Sequence, residues 1–147
     1  AEFEQLSDEL GDVPPDGEWM PIMAALAQLC SHLGDQERAS TLYGLLLPYD
    51  GANVVRGMGG LCLGPVARLL GRLATVMGRH RDARRHFDSA LDSAAALRAP
   101  VLLGHTQLDY AEALQSGARA ARLIRDAAAS AEELDLPLVA RRAAQLS

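Results

Sequence analysis

Residues 26–47 read LAQLCSHLGDQERASTLYGLLL, and residues 70–91 read LGRLATVMGRHRDARRHFDSAL. Leu26-Ala27, Gly34, Ala39, Tyr43 and Leu46-Leu47 of the first stretch recur as Leu70-Gly71, Gly78, Ala83, Phe87 and Ala90-Leu91 of the second, all displaced by the same 44 residues. A constant displacement over so many positions marks an internal repeat, and a period of this size belongs to stacked supersecondary units. Each copy places a small residue where two helices cross, then a glycine turn, then Ala-x-x-x-aromatic on the second helix. Small residues let helix axes approach closely, and the aromatic fills the space between neighbouring pairs.

This is the pattern of a tetratricopeptide unit, whose usual period is about 34 residues. Roughly ten residues are therefore inserted between the two copies. They fall in 48–63, PYDGANVVRGMGGLCL, which is glycine-rich and lacks helical periodicity. A third, looser unit follows: Tyr110-Ala111, Gly117, Ala120, Ile124 and Ala127 match in kind, with offsets between 37 and 40. Glycine and proline punctuation then sets the helices. They are expected over 18–32, 36–47, 64–77 (with Pro65 in its first turn), 80–98, 100–115, after Gly117 to about 134, and from Pro137 onward. Phe3, Leu6 and Leu10 lie on one helical face, so 3–10 reads as a short helix, and Asp16 is placed to cap the helix after it. The expected fold is all-α: tetratricopeptide-like antiparallel helix pairs stacked as a short right-handed superhelix. Its units cover about 18–47, 64–98 and 100–134, with an insertion loop at 48–63.

Composition agrees with helices. Of 147 residues, 49% are hydrophobic but only 4% aromatic, and alanine and leucine favour helix where β-branched and aromatic residues favour strand. A chain of this length makes one ordinary domain. All fourteen basic residues are arginine, which excludes a lysine-dependent phosphate loop or a Schiff-base lysine. The net charge of −5 is unevenly laid out: residues 1–50 hold ten acids and one arginine, and residues 51–98 hold three acids and eight arginines. The basic middle suits an acidic partner, while the acidic front argues against nucleic-acid binding. Cys30 and Cys62 lack zinc-ligand spacing and read as two reduced structural thiols, with a disulfide between them as the alternative. No run reaches membrane-spanning length and no secretory signal is visible, so the expected location is cytoplasmic. The first residue is not methionine, so the chain is read as a processed product or a fragment of a larger protein.

Three strings carry a further likeness: GEWMPIMAALAQLCSHLGDQERASTLYGLLLPYDGANVV (17–55), LGPVARLLGRLATVMGRHRDARRHFDSAL (63–91) and LDYAEAL (108–114). With them, residues 19–138 resemble the carboxy-terminal helical region of large bacterial signalling ATPases, including LuxR-type transcriptional regulators and related ATP-binding proteins with cyclase domains. The resemblance implies a sensor or scaffold segment that helps regulate its parent protein. It carries over no ATP site, because this chain has no Walker motif, no cyclase-like segment and no readable helix-turn-helix.

Arg68 and Arg72 flank Gly71 at a spacing of four, which puts both guanidiniums on one helix face. In a tetratricopeptide fold that face looks into the concave groove, where the pair would clamp a carboxylate. The bland alternatives are internal pairing with Asp109 or Glu112, or solvation. Gln28, Ser31, His32 and Thr75 extend the candidate groove. Arg56, Gly57, Gly59 and Gly60 form a second candidate, a glycine-rich loop ahead of a helix that offers N–H groups to an anion or a surface to a partner. Tight bending is its ordinary reading. Arg79, Arg81, Arg84 and Arg85 with His80 and His86 cluster at a turn. Without aromatic residues to stack bases, that cluster reads as a solvated turn near Asp82 and Asp88.

No H-E-x-x-H or G-x-S-x-G spacing is present, so the chain is expected to be no enzyme and to need no metal or other cofactor. The expected function is a non-catalytic interaction or scaffold module. Its partner is a protein or peptide, the other domains of its own parent, or a second copy, with no nucleic acid or membrane bound. The alternative is a small-molecule inducer sensor.

Overall fold

The computed structural model describes residues 18–56 and 61–147. The expected helix at 3–10, the cap residue Asp16 and the loop glycines Gly57, Gly59 and Gly60 lie outside the described residues. The elements in order are α1 (Trp19–Leu33), α2 (Gln36–Leu46), a 3-10 turn (Leu47–Tyr49), β1 (Asn53–Arg56), β2 (Leu61–Pro65), α3 (Val66–Val76), α4 (His80–Ala96), α5 (Pro100–Leu114), α6 (Ala118–Glu133) and α7 (Pro137–Leu146). The chain is mostly helical. Among the described residues no helix is long and apolar enough to cross a membrane.

The helix ends follow local chemistry. Gly34 closes α1 with a left-handed φ of +68°, and its N–H donates to the Cys30 carbonyl. The Asp35 side chain then accepts the Arg38 N–H at 3.0 Å and caps α2. Gly78 repeats the left-handed turn at φ +71° before α4. Two details differ from the sequence reading. Glu18, without a side-chain cap bond, holds the cap position of α1 that had been assigned to Asp16. Pro65 ends β2 and stands at the cap of α3, so the helix begins two residues later than expected, at Val66.

The main correction lies in the inserted segment, which is not simply a loop. Asn53–Arg56 and Leu61–Pro65 pair antiparallel, with Val54 opposite Gly64 and Val55 opposite Cys62. That register leaves Leu63 over as a bulge residue. The β-branched Val54-Val55 suits a strand, and Val54 is fully buried against α1. Four residues are too few to show a two-residue alternation.

Packing joins α1 to α2, α3 to α4 and α5 to α6, and each odd helix also touches the next odd helix, α1 with α3, α3 with α5 and α5 with α7. Several repeat positions are buried in both copies. Ala27 and Gly71, Ala39 and Ala83, and Leu46 and Ala90 are all buried. Both aromatic positions reach forward to the next pair: the Tyr43 ring meets His86 on α4 edge-on, and Phe87 stacks on Tyr110 of α5 at 5.0 Å. Trp19 is buried at the start of α1, tilted against Tyr49 at 5.4 Å. A second small core of Leu108, Ala127, Ala131, Val139 and Ala143 fastens α7 to α5 and α6.

Candidate functional site

The four odd helices and β2 wall one open cavity of about 830 Å³. α1 contributes Gln28, Ser31 and His32, β2 contributes Leu61, Cys62 and Leu63, and α3 contributes Arg68 and Arg72. α5 adds Val101, Leu102, His105 and Glu112, and α7 adds Arg142, Gln145 and Leu146. Five of the six groove residues read from the sequence therefore border one space. The sixth, Thr75, lines a smaller adjoining cavity with Ser31, Arg72, Asp109 and Glu112, and its hydroxyl donates to the Gly71 carbonyl at 2.8 Å.

The floor of the cavity is an ion cluster centred on Asp109. This carboxylate is buried, with its side chain 1% exposed. Arg68 Nε donates to one of its oxygens and Arg142 Nη2 to the other, both at 2.6 Å. Arg142 also donates to Glu112 at 2.5 Å. Burial pushes the Asp109 carboxyl up, but Arg68, Arg72 and Arg142 together outweigh it and hold it below the ordinary value. Asp109 is therefore a carboxylate at neutral pH, bridging α3, α5 and α7.

Arg72 is the most loosely held of the three guanidiniums. It stands 3.7 Å from Asp109, beyond hydrogen-bond reach, and 3.4 Å from His32 Nδ1. That His32 nitrogen is 2.8 Å from the Gln28 carbonyl. A carbonyl only accepts, so Nδ1 carries the proton and has no lone pair for Arg72. Arg72 thus has no short acceptor among the described residues. Desolvation lowers its pKa, partly offset by Asp109, with Arg68 and Arg142 repelling it. Three guanidiniums face two carboxylates, so the cluster keeps one positive charge. His105 is held below its ordinary value by burial and by Arg68 and Arg142, against a smaller pull from Asp109. It faces the cavity as a neutral ring at pH 7.

Of the alternatives raised for the arginine pair, internal pairing holds for both members, tightly for Arg68 at 2.6 Å and loosely for Arg72 at 3.7 Å from the same Asp109 oxygen. Sequence reasoning missed His105 and Arg142. Asp109 carried a readable signal, since alignment of Tyr110-Ala111 on Leu70-Gly71 sets Asp109 on the slot of buried Leu69. Arg142 carried none, because α7 lies beyond the repeat.

The other candidates lie elsewhere. Arg56 ends β1 and is exposed. In the basic turn, Arg85 pairs with Asp82 at 3.4 Å, and Arg119 pairs with Asp88. His86, read as part of that solvated turn, is instead fully buried. Its Nδ1 lies 3.1 Å from the Asp50 carboxylate and its Nε2 2.8 Å from the Tyr43 hydroxyl. The helical period turns His86 inward beside Phe87. The order carboxylate, imidazole, hydroxyl is that of a nucleophile relay, but Tyr43 is buried and borders neither cavity. Burial also raises its phenol above the ordinary value, with Asp82 adding to the shift against Arg85 and Arg79. The trio fastens the turn at Asp50 to α4. Cys30 is buried and its thiol donates to the Asp35 carbonyl at 3.3 Å, while Cys62 is a separate, half-buried thiol on the cavity wall. Among the described residues no group of three or more histidine, cysteine or acidic side chains is arranged to hold a metal.

Comparison of the chain with known protein families, with curated proteins and with solved structures finds no match.

Proposed function

We propose that this chain is a non-catalytic, tetratricopeptide-like interaction module. On this reading its helix pairs stack as a short right-handed superhelix, and the cavity between the odd helices receives a segment of a partner protein or of another domain. The observation that carries the reading is the charge at the cavity floor. Arg72 is largely desolvated, faces an open space and stands 3.7 Å from the Asp109 oxygen it shares with Arg68, so a ligand carboxylate would give it a closer acceptor. Apolar walls from β2 and α5 beside this charge suit a peptide better than a free ion. The resemblance to LuxR-type and other signalling ATPases sets such a module in a cytoplasmic bacterial regulator, as a scaffold segment.

Binding of a labelled peptide of alternating glutamate and valine, measured by fluorescence anisotropy, tests this. Arg72→Gln is expected to weaken it at least tenfold, since a charge-assisted bond contributes about 1.5–3 kcal/mol. Arg81→Gln, at the exposed turn, is expected to leave it unchanged. Equal binding by all three proteins, or none by any, ends the proposal. A second reading, a small-molecule sensor, is favoured by one observation: about 830 Å³ lies within the range of small-ligand pockets. A thermal shift with anionic metabolites and no peptide binding would select it.

A further inference from the structure

We infer that the outer edge of β2 is a docking edge, where an extended acidic partner segment adds a third strand and sets a carboxylate against Arg72. This deepens the partner-groove reading above and rests on it. Successive strand residues point their side chains to opposite faces of a sheet. Leu61 and Cys62 are successive, yet both border the same cavity, as does Leu63 at the bulge. A space that meets both faces of a strand runs along its edge. Among the described residues β1 is the one strand paired with β2 and occupies one of its edges, so the cavity follows the other.

An outer edge presents backbone N–H and C=O groups with no strand partner, and proteins usually guard it with charge or proline. Leu61, Cys62, Leu63 and Gly64 carry neither, and the first proline, Pro65, comes at the end of the strand. Leu61 is 65% exposed. The occupant follows from the surroundings. Strand addition draws affinity from main-chain bonds and specificity from alternate side chains. Here one set of side chains meets Leu63, Val101 and Leu102, and the cluster of three arginines against two acids across the cavity selects an acid.

The test uses the alternating glutamate–valine octapeptide in four forms: unmodified, N-methylated at every valine amide, N-methylated at every glutamate amide, and with glutamine for glutamate. In an added strand, alternate amides face the neighbour, so one methylated form should lose at least tenfold and the other should bind as the parent does. The glutamine form should also lose at least tenfold. Equal binding of both methylated forms and the parent would overturn strand addition while leaving the groove reading intact. Failure of the parent peptide would overturn both. Undiminished binding of the glutamine form would overturn the acidic selection. A concentration-dependent dimer that the peptide cannot dissociate would assign the edge to a second copy and overturn the proposal. Amide exchange gives an independent readout: strand addition should slow exchange at Leu61 or Leu63 on binding, and unchanged exchange there would count against it.

Discussion

Replacing Asp109 with asparagine is expected to cost about 3–5 kcal/mol of folding stability, because three guanidiniums would then crowd a buried site without its carboxylate. Asp109 is 1% exposed, and Arg68, Arg72 and Arg142 are mostly buried around it. The amide keeps the shape and can still accept hydrogen bonds, but it cancels none of the charge. At roughly 2–4 °C per kcal/mol for a chain of this size, Tm should fall on the order of 10 °C. Glu112→Gln is the control. That side chain is 46% exposed, and its pair with Arg142 is expected to contribute under about 1 kcal/mol.

The same pair gives a pH signature. The folded pKa of Asp109 is depressed, so its stabilisation is fully present above the ordinary carboxylate value near 3.8 and is lost as pH falls through the folded value below that. The gap between native protein and Asp109→Asn should be widest at pH 7 and should shrink in acid. Urea unfolding at pH 7 and pH 3 measures both. A gap under 1 kcal/mol at pH 7, or one that grows on acidification, would remove Asp109 from the centre of the cluster.

The helices were legible because their signals are local. Gly34, Gly78 and Gly117 take left-handed or extended positive-φ conformations at turns, and Pro100 and Pro137 open helices at the first position. The expected boundaries of α1 to α6 accordingly lie within two residues of those observed. Arg98, Gln115 and Asp135 also adopt positive φ at turns without being glycine, which no residue type announces. The hairpin was not legible for a different reason. Its pairing joins two short segments, and only burial under α1 gives Val54 a defined face.

The site divides in the same way. The repeat alone set Gln28, Ser31, His32, Arg68 and Arg72 on one surface, because helical period and repeat register fix direction. How tightly each arginine is held depends on Asp109, 41 residues from Arg68, and on Arg142 from a helix outside the repeat. Charge compensation between distant segments leaves no pattern along the chain. His86 shows the converse: a residue that looked like part of a surface run was carried inward by its place beside Phe87.

Phe87→Ala is expected to cost about 3–5 kcal/mol, the range for deleting a buried phenylalanine. Phe87 is fully buried, and its ring lies between the Gly71 backbone on α3 and the Tyr110 ring on α5. A Cβ added at Gly71 would stand 3.0 Å from Cγ, Cδ2 and Cε2 of that ring. Tyr110 stacks on Phe87 at 15° between planes, which leaves the ring little freedom to give way. Gly71→Ala alone should therefore destabilise by about 1–3 kcal/mol through overpacking. With Phe87 already alanine, the clash disappears. Only the helix preference for alanine over glycine then remains, and it favours alanine by about 0.8–1.0 kcal/mol. The same Gly71→Ala change should thus reverse sign, from destabilising in the native background to stabilising in Phe87→Ala. Chemical unfolding of the four proteins in this cycle measures the coupling directly. If Gly71→Ala has one sign in both backgrounds, the close approach of α3 to the Phe87 ring is not what the glycine serves, and the matching Ala27 of the first unit loses its structural meaning as the equivalent crossing point.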